Sequence, residues 1–375
     1  MGFLRRLLPG LGGLLILGGC RSLQVPPGAL MLPAEDRWVA VPPLMVHWRR
    51  DIEAAPAQAL VAGRILLVTN RKGEVRAFEL PEGRRRGMLD LGRDVSGKPA
   101  RRGALLLVPV ALDDASIVAY DLYRRRVVWR RMGEGVEAGL VLTDSVVYVA
   151  ERWGRVYALH LQNGREHWLQ EPSTTRLEGV RARPVAVGDW LVVADKRGRV
   201  VALEMQTGRP RWRRQLWPVY ADLITDGHHV FISTTRGRLV ALQAASGAVV
   251  WTYALPDTTV RFTAPVVAGQ MVYVAGGDGM VRALERTTGT LRWSWSGRAA
   301  IAATPVADTA AGVLYVGDLR NRLVALELTT GQLRWETNLQ GGILALETSA
   351  FGLVVLARPR HVYLLRANHD VATHP

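Results

Sequence analysis

Cysteine, lysine and phenylalanine are all scarce in this chain. A single cysteine, Cys20, stands among 375 residues, which excludes an intramolecular disulfide and a cysteine-rich metal site. Phenylalanine occurs 5 times against 12 tryptophans, so the aromatic content calls for a specific explanation. Lys72, Lys98 and Lys196 are the only lysines among 48 basic residues; with 33 acidic residues the net charge is +15. A nucleic-acid binder would need that charge gathered on one groove or helix, with stacking aromatics or a known module. None is present, and no nucleic-acid partner is expected. A general preference for arginine accounts for most of the excess. An anionic membrane surface or an acidic protein is the alternative. The apolar stretch from Leu7 to Leu17 is broken by Pro9 and glycines and falls short of the roughly 20 residues a membrane span requires.

That stretch follows Arg5 and Arg6 and ends at Leu17-Gly18-Gly19-Cys20. A positive start, a short apolar run and small residues at a cleavage point make a secretory signal. The last four residues resemble the lipobox of bacterial lipoproteins. The resemblance implies a signal peptide over 1–19, cleavage before Cys20, and acylation of Cys20. More than one acyl chain makes such anchoring stable. Arg21, in place of an aspartate, implies sorting to the outer membrane. Residues 20–40 contain Pro26, Pro27 and Pro33 with little periodicity and read as the lipidated cysteine and a flexible tether.

From residue 56 onward one phrase recurs. Its clearest copy runs from Ala264 to Trp293 and holds four short β-prone segments separated by Gly-containing turns, the pattern of four antiparallel strands joined by hairpins. The third strand is marked by alanine before a bulky apolar residue, at Ala77, Ala119, Ala158, Ala202, Ala241, Ala283 and Ala325, with Tyr363-Leu364 as a degenerate eighth copy. The spacings run from 39 to 44 residues. The fourth strand is marked by Trp129, Trp168, Trp212, Trp251, Trp293 and Trp335; all but the first follow a glycine by four residues, at Gly164, Gly208, Gly247, Gly289 and Gly331. Gly83 is followed by Gly87 in a lapsed copy. Four strands per period of this length predict an all-β, eight-bladed β-propeller over 41–366, with a C-terminal tail over 367–375. The eighth unit lacks a fourth strand, and an unassigned Trp48 lies 39 residues, one period, before Gly87 of the first unit. The N-terminal strand is therefore expected to complete the last blade, closing the ring without an open edge. The regular tryptophans are expected to cover the gaps between wedge-shaped sheets.

The Ala-Leu…Gly…Trp phrase, as in Ala202-Leu203, Gly208 and Trp212, resembles the pyrroloquinoline-quinone-type propeller repeat. With the lipobox, the length and the blade count, the whole mature chain resembles the BamB family, lipoprotein subunits of the outer-membrane β-barrel assembly machinery. The resemblance implies a non-catalytic scaffold on the periplasmic face of the outer membrane. It would be a monomer within a hetero-complex, without cofactors, binding the core barrel-assembly subunit (BamA-like) through loops between central blades. The matching positions are Arg176, Leu177, Glu178 and Arg181 in one blade connection and Asp222 in the next. Glu178 stands where the family pattern has arginine, and Asp222 alone answers the acidic residues expected in the second loop.

The residues point independently to the same rim. Both connections share it with the turns between second and third strands, which are basic at Arg71-Lys72, Arg152, Lys196-Arg197, Arg236 and Arg320. Such a ring could steer an acidic partner; solvated hairpin tips are the plainer reading. On the opposite rim, Arg84-Arg85-Arg86 and Arg124-Arg125-Arg126 are solvated turns or contacts for anionic headgroups.

The alternative function is a periplasmic quinoprotein (PQQ-dependent) dehydrogenase-like enzyme, which the repeat resembles. The resemblance implies quinone and calcium in a funnel with a carboxylate base and often a vicinal disulfide, which one cysteine cannot make. His228-His229 would project to opposite sides of a strand with no third ligand at a metal spacing. No metal site, Ser-His-Asp set, phosphate loop or carboxylate pair is expected.

Overall fold

The computed structural model describes residues 22–31, 43–92, 95, 97–111 and 116–367. The signal segment 1–19, Cys20 and residues 368–375 of the C-terminal tail lie outside them, and Ala367, read as the start of that tail, ends the last strand. Eight four-stranded antiparallel sheets form the blades of a propeller. Blades 1 to 7 span 56–90, 100–131, 141–170, 185–215, 224–254, 266–296 and 306–338, each in simple up-and-down order. Blade 8 holds Ile343–Ser349, Gly352–Ala357 and His361–Ala367, and its outer strand is Leu44–Asp51. That strand pairs antiparallel from Leu44 with Ala367 to Asp51 with His361. The expected closure is therefore present, and Trp48 occupies the fourth-strand position.

The middle strands are continuous apolar runs, such as Leu-Val-Val-Ala in Trp190–Ala194, because both faces of each blade are covered by neighbours. Outer strands alternate, as in Leu291–Ser296. The core is accordingly divided into eight apolar clusters, each between two adjacent blades. The seven marker alanines of the third strands are fully buried, where a larger side chain would hold the sheets apart.

Six tryptophans, Trp48, Trp129, Trp168, Trp212, Trp251 and Trp293, latch their blade to the next; Trp335 has no such glycine, and its indole N–H has no partner among the described residues. The Trp168 indole N–H donates to the Met205 carbonyl at 2.9 Å, and Trp212 does the same to Ala244 at 2.8 Å. The ring lies flat on the glycine of the neighbour's last hairpin. A β-carbon on Gly208 would stand 2.5 Å from Trp168 Cε3, and Gly208 has φ +72. Trp48–Gly83, Trp129–Gly164, Trp212–Gly247, Trp251–Gly289 and Trp293–Gly331 repeat the arrangement. Glycine is needed twice over, for the left-handed backbone and for the approach of the ring.

Residues 22–31 fall within the stretch read as a tether. They are packed: Leu23, Val25, Ala29 and Leu30 are buried in the cluster between blades 1 and 2. Four apolar side chains in ten residues supply the burial that a solvated linker lacks.

Candidate functional site

The propeller has two rims. The upper one carries the turns between second and third strands and the blade-to-blade connections; the lower one carries the remaining hairpins. On the upper rim the turns begin at an acceptor. Asp195 Oδ1 receives the backbone N–H groups of Arg197 and Arg199, and Asp318 Oδ1 those of Arg320, Asn321 and Arg322. Asn70 Oδ1 does the same for Lys72 and Glu74. Side-chain capping of this kind fixes the turn and leaves Lys72, Arg197 and Arg320 projecting outward, where all three are exposed. The blade connections pack between these turns: Gly179 N–H donates to Arg152 O, and Lys196 N–H to Gly179 O. The rim inferred from the sequence is therefore real.

The connection from blade 3 to blade 4 opens with a short helix, Pro172–Thr175, which ends on Arg176 in a left-handed conformation, φ 58. Arg176 is exposed. Leu177 is 2% exposed and belongs to the apolar cluster between blades 3 and 4; it holds the loop and presents no surface. Glu178 faces Lys196 at 3.3 Å and Arg197 at 2.9 Å. Partial desolvation disfavours its charge, but these two cations outweigh that and hold its carboxyl below the usual range. Arg181 pairs with Glu137 at 2.7 Å. Asp222 accepts the Arg183 backbone N–H at 2.9 Å and lies 3.6 Å from its guanidinium. It ties two connections together at the inner edge of the rim. Arg176, Glu178, Arg181 and Asp222 thus share one surface, and Leu177 lies beneath it.

Three aromatics join that surface which the repeat reading did not single out. Trp153 is 48% exposed, Tyr220 44% and Trp217 37%. Arginine covers each: Arg152 lies 5.3 Å from the Trp153 ring, Arg181 5.7 Å from Tyr220 and Arg238 4.2 Å from Trp217. Glu137 bridges the first two, pairing with both Arg152 and Arg181. The result is a continuous band across blades 3 to 5, Trp153–Arg152–Glu137–Arg181–Tyr220, with Trp217 and Arg238 beyond it. Exposed Trp, Tyr and Arg in one patch are the composition of protein-binding hot spots. A partial sequence signal existed: Trp153 and Trp217, like Trp190 and Trp295, stand outside the four-after-glycine register.

Between blades 2 and 3 lies a buried polar cluster. The Tyr157 hydroxyl donates to Glu151 Oε1 at 3.0 Å and lies 2.8 Å from Ser116 Oγ. Burial pushes the Glu151 carboxyl above its ordinary range, against the Tyr157 hydrogen bond and the Arg155 charge. His229 Nδ1 lies 3.1 Å from Asp226 Oδ2, and His228 is exposed. The two histidines thus serve a turn.

A cavity of about 540 Å³ opens at the axis, lined by Lys98, Arg183, Asp222, Arg261 and Glu347 among others. Its carboxylates are engaged: Glu347 by Lys98 at 2.7 Å, Asp222 by Arg183. Calcium takes six to eight oxygens; with both carboxylates paired to cations, the lining offers it the neutral oxygens of Gln58, Ser233 and several threonines and no free carboxylate. Among the described residues no three His, Cys, Asp or Glu side chains stand together as ligands, and no helix is long and apolar enough to cross a membrane.

A family model described as "Outer membrane protein assembly factor BamB" matches residues 47–170, 168–219 and 217–363. No curated protein matches the chain in sequence. Among solved structures, BamB from Moraxella catarrhalis is similar over 87% of this chain and 100% of its own, at 18% identity and TM-score 0.71. The computationally designed Ika8 protein is similar over 85% of this chain and 98% of its own, at 14% identity and TM-score 0.73. Quinohemoprotein alcohol dehydrogenase from Comamonas testosteroni is similar over 86% of this chain and 76% of its own, at 13% identity and TM-score 0.69. At such identities the likenesses to solved structures establish a shared fold.

Proposed function

From the premise that the chain belongs to the family of the outer membrane protein assembly factor BamB, we propose a non-catalytic scaffold that assists assembly of β-barrel proteins into the outer membrane. In this reading acyl groups on Cys20 hold it at the periplasmic face. The upper rim of blades 3 to 5 binds the core subunit of the barrel-assembly machinery. The observation that carries the proposal is the arginine-covered band of Trp153, Tyr220 and Trp217, which lies on the rim that holds Arg176, Glu178, Arg181 and Asp222. Its rings supply apolar contact area, and the surrounding cations favour an acidic partner surface.

Affinity purification of the full chain from native envelopes tests this. The barrel-assembly subunits should co-purify with the wild type. Recovery should fall sharply for the Trp217→Ala/Tyr220→Ala variant at equal abundance. Absence of those subunits from the wild-type eluate removes the proposal. The quinoprotein alternative draws on likeness of fold to the Comamonas testosteroni enzyme; titration with quinone and calcium, read by absorbance, would revive it if both bound.

A further inference from the structure

We propose that residues 22–31 form a strap that replaces a missing tryptophan latch between blades 1 and 2, and that the lower outer corner where the strap emerges faces the membrane, its arginines against anionic lipid headgroups. The second half rests on the acylation of Cys20 proposed above.

Six blade boundaries carry a tryptophan on a neighbour's glycine. Between blades 1 and 2 both halves are absent. Gly87 sits in the bulge of the outer strand facing Ala77, between the pairs Arg76–Met88 and Phe78–Arg85. In blades 2 to 7 a tryptophan stands opposite the equivalent alanine. The glycine partner is gone as well: Arg125, φ 56, occupies the hairpin position that is glycine in blades 3 to 7. The strap fills the vacancy. A β-carbon on Gly87 would stand 2.1 Å from the Ser22 carbonyl oxygen and 3.2 Å from Leu23 Cα. Leu23 is 0% exposed, in one cluster with Leu106, Tyr120 and Leu122 of blade 2. Gln24 N–H donates to Arg86 O at 2.5 Å, and Arg64 N–H donates to Ala29 O at 2.7 Å. The strap therefore runs from the outer strand of blade 1 to that blade's first hairpin, along the lower rim.

This fixes where the lipid leaves. Leu23 is three residues from Cys20, a reach of about 10 Å even when fully extended. A bilayer holding acyl chains on Cys20 must lie close to this corner. The charge of the rim is concentrated there. Arg84, Arg85, Arg124, Arg125 and Arg126 are exposed. Among the described residues no carboxylate lies within ion-pair distance of Arg84, Arg125 or Arg126. The equivalent hairpins of blades 5, 6 and 7 read Ala245-Ser246-Gly247, Thr287-Thr288-Gly289 and Thr329-Thr330-Gly331, without charge at the tip. Arginines beside an acyl anchor supply the second membrane signal that makes attachment durable.

The test uses the full acylated chain in vesicles of phosphatidylcholine with or without phosphatidylglycerol, containing spin-labelled lipid as quencher. Single fluorophores are placed through Tyr123→Cys in blade 2 and, across the ring at the equivalent hairpin, Thr287→Cys in blade 6. With phosphatidylglycerol present, quenching at 123 should exceed that at 287 several-fold. The ratio should shrink without phosphatidylglycerol, after Arg84→Gln/Arg124→Gln/Arg125→Gln/Arg126→Gln, or after Leu23→Asp frees the strap. Equal quenching at both sites, or a ratio indifferent to anionic lipid and to the arginines, overturns the membrane-facing corner. Hydrogen exchange on the unmutated chain decides the strap even where Leu23→Asp does not fold: the Gln24 and Arg64 amides should be protected, and free exchange at both overturns it. Mass spectrometry of Cys20 in the same sample separates the two readings. An unmodified thiol removes the anchor together with this orientation; an acylated Cys20 with equal quenching removes the orientation alone.

Discussion

The latch makes a quantitative prediction at Gly208. Alanine there must adopt φ +72 and place its β-carbon 2.5 Å from Trp168 Cε3 and 2.7 Å from Cδ2. The left-handed backbone costs about 1–2 kcal/mol for a residue with a side chain. The forced contact with a ring held between two sheets adds about 1–3 kcal/mol, the range for overpacking. Gly208→Ala should therefore destabilise by about 2–5 kcal/mol. Gly188 is the internal control. It lies in the same blade, has φ +54, and meets nothing within 4 Å, so Gly188→Ala should cost only the backbone part, about 1–2 kcal/mol. Urea unfolding followed by far-ultraviolet circular dichroism measures both, provided the slopes stay constant. A double-mutant cycle sharpens the result. Trp168→Ala alone should cost about 3–5 kcal/mol. In its background Gly208→Ala should fall to the Gly188→Ala value, because the ring it met is gone. Equal costs for the two glycines, or strict additivity with Trp168→Ala, would refute the latch.

Three more outcomes follow. Arg125→Gly should stabilise slightly, or change stability by less than about 1 kcal/mol: it relieves a left-handed arginine, offset by the extra freedom of the unfolded chain; a loss of 2 kcal/mol or more would mean that Arg125 makes a contact of its own. Burial raises the Glu151 carboxyl, so its contribution is greatest below the ordinary carboxyl range and is lost as pH rises through the raised value. Glu151→Gln should therefore gain stability relative to the wild type as pH rises above the ordinary carboxyl range in urea titrations; a pH-independent difference would contradict this. Trp217→Ala and Tyr220→Ala should each weaken binding of the purified barrel-assembly core subunit by about 2 kcal/mol, roughly thirty-fold, measured by surface-immobilised titration; unchanged affinity for both would exclude the aromatic band.

The ring was legible because its physics repeats. A blade needs a small residue where sheets converge and a flat one where they diverge, so Ala202 and Trp212 recur at fixed spacing and announce the blade before any coordinates. Closure was legible for the same reason, since Trp48 has no other place in the pattern. The binding rim was legible in part. Connections and turns had to converge on it, which brought Arg181, Glu178 and Asp222 together. Leu177 was misplaced because a loop leucine carries no mark of which way it points; here the turn packs it under the rim. Tyr220 escaped notice because its arginine partner, Arg181, lies in the preceding blade connection, and pairing across blades has no local signature; Trp153 escaped because Arg152-Trp153 sits in a turn whose basic residue alone was read. The strap was hidden by its prolines, which suggest an extended linker. Gly87 and Arg125 recorded the vacancy it fills, but a vacancy does not say what occupies it.

The most direct test of the central claim is site-specific photo-crosslinking in living cells. A photoreactive residue replacing Trp217 on the upper rim, and another replacing Thr287 on the lower rim, would each be irradiated and their adducts identified by mass spectrometry. The account predicts that position 217 captures a subunit of the outer-membrane barrel-assembly machinery and position 287 does not. No adduct at 217, or the same protein captured equally at both positions, would contradict it.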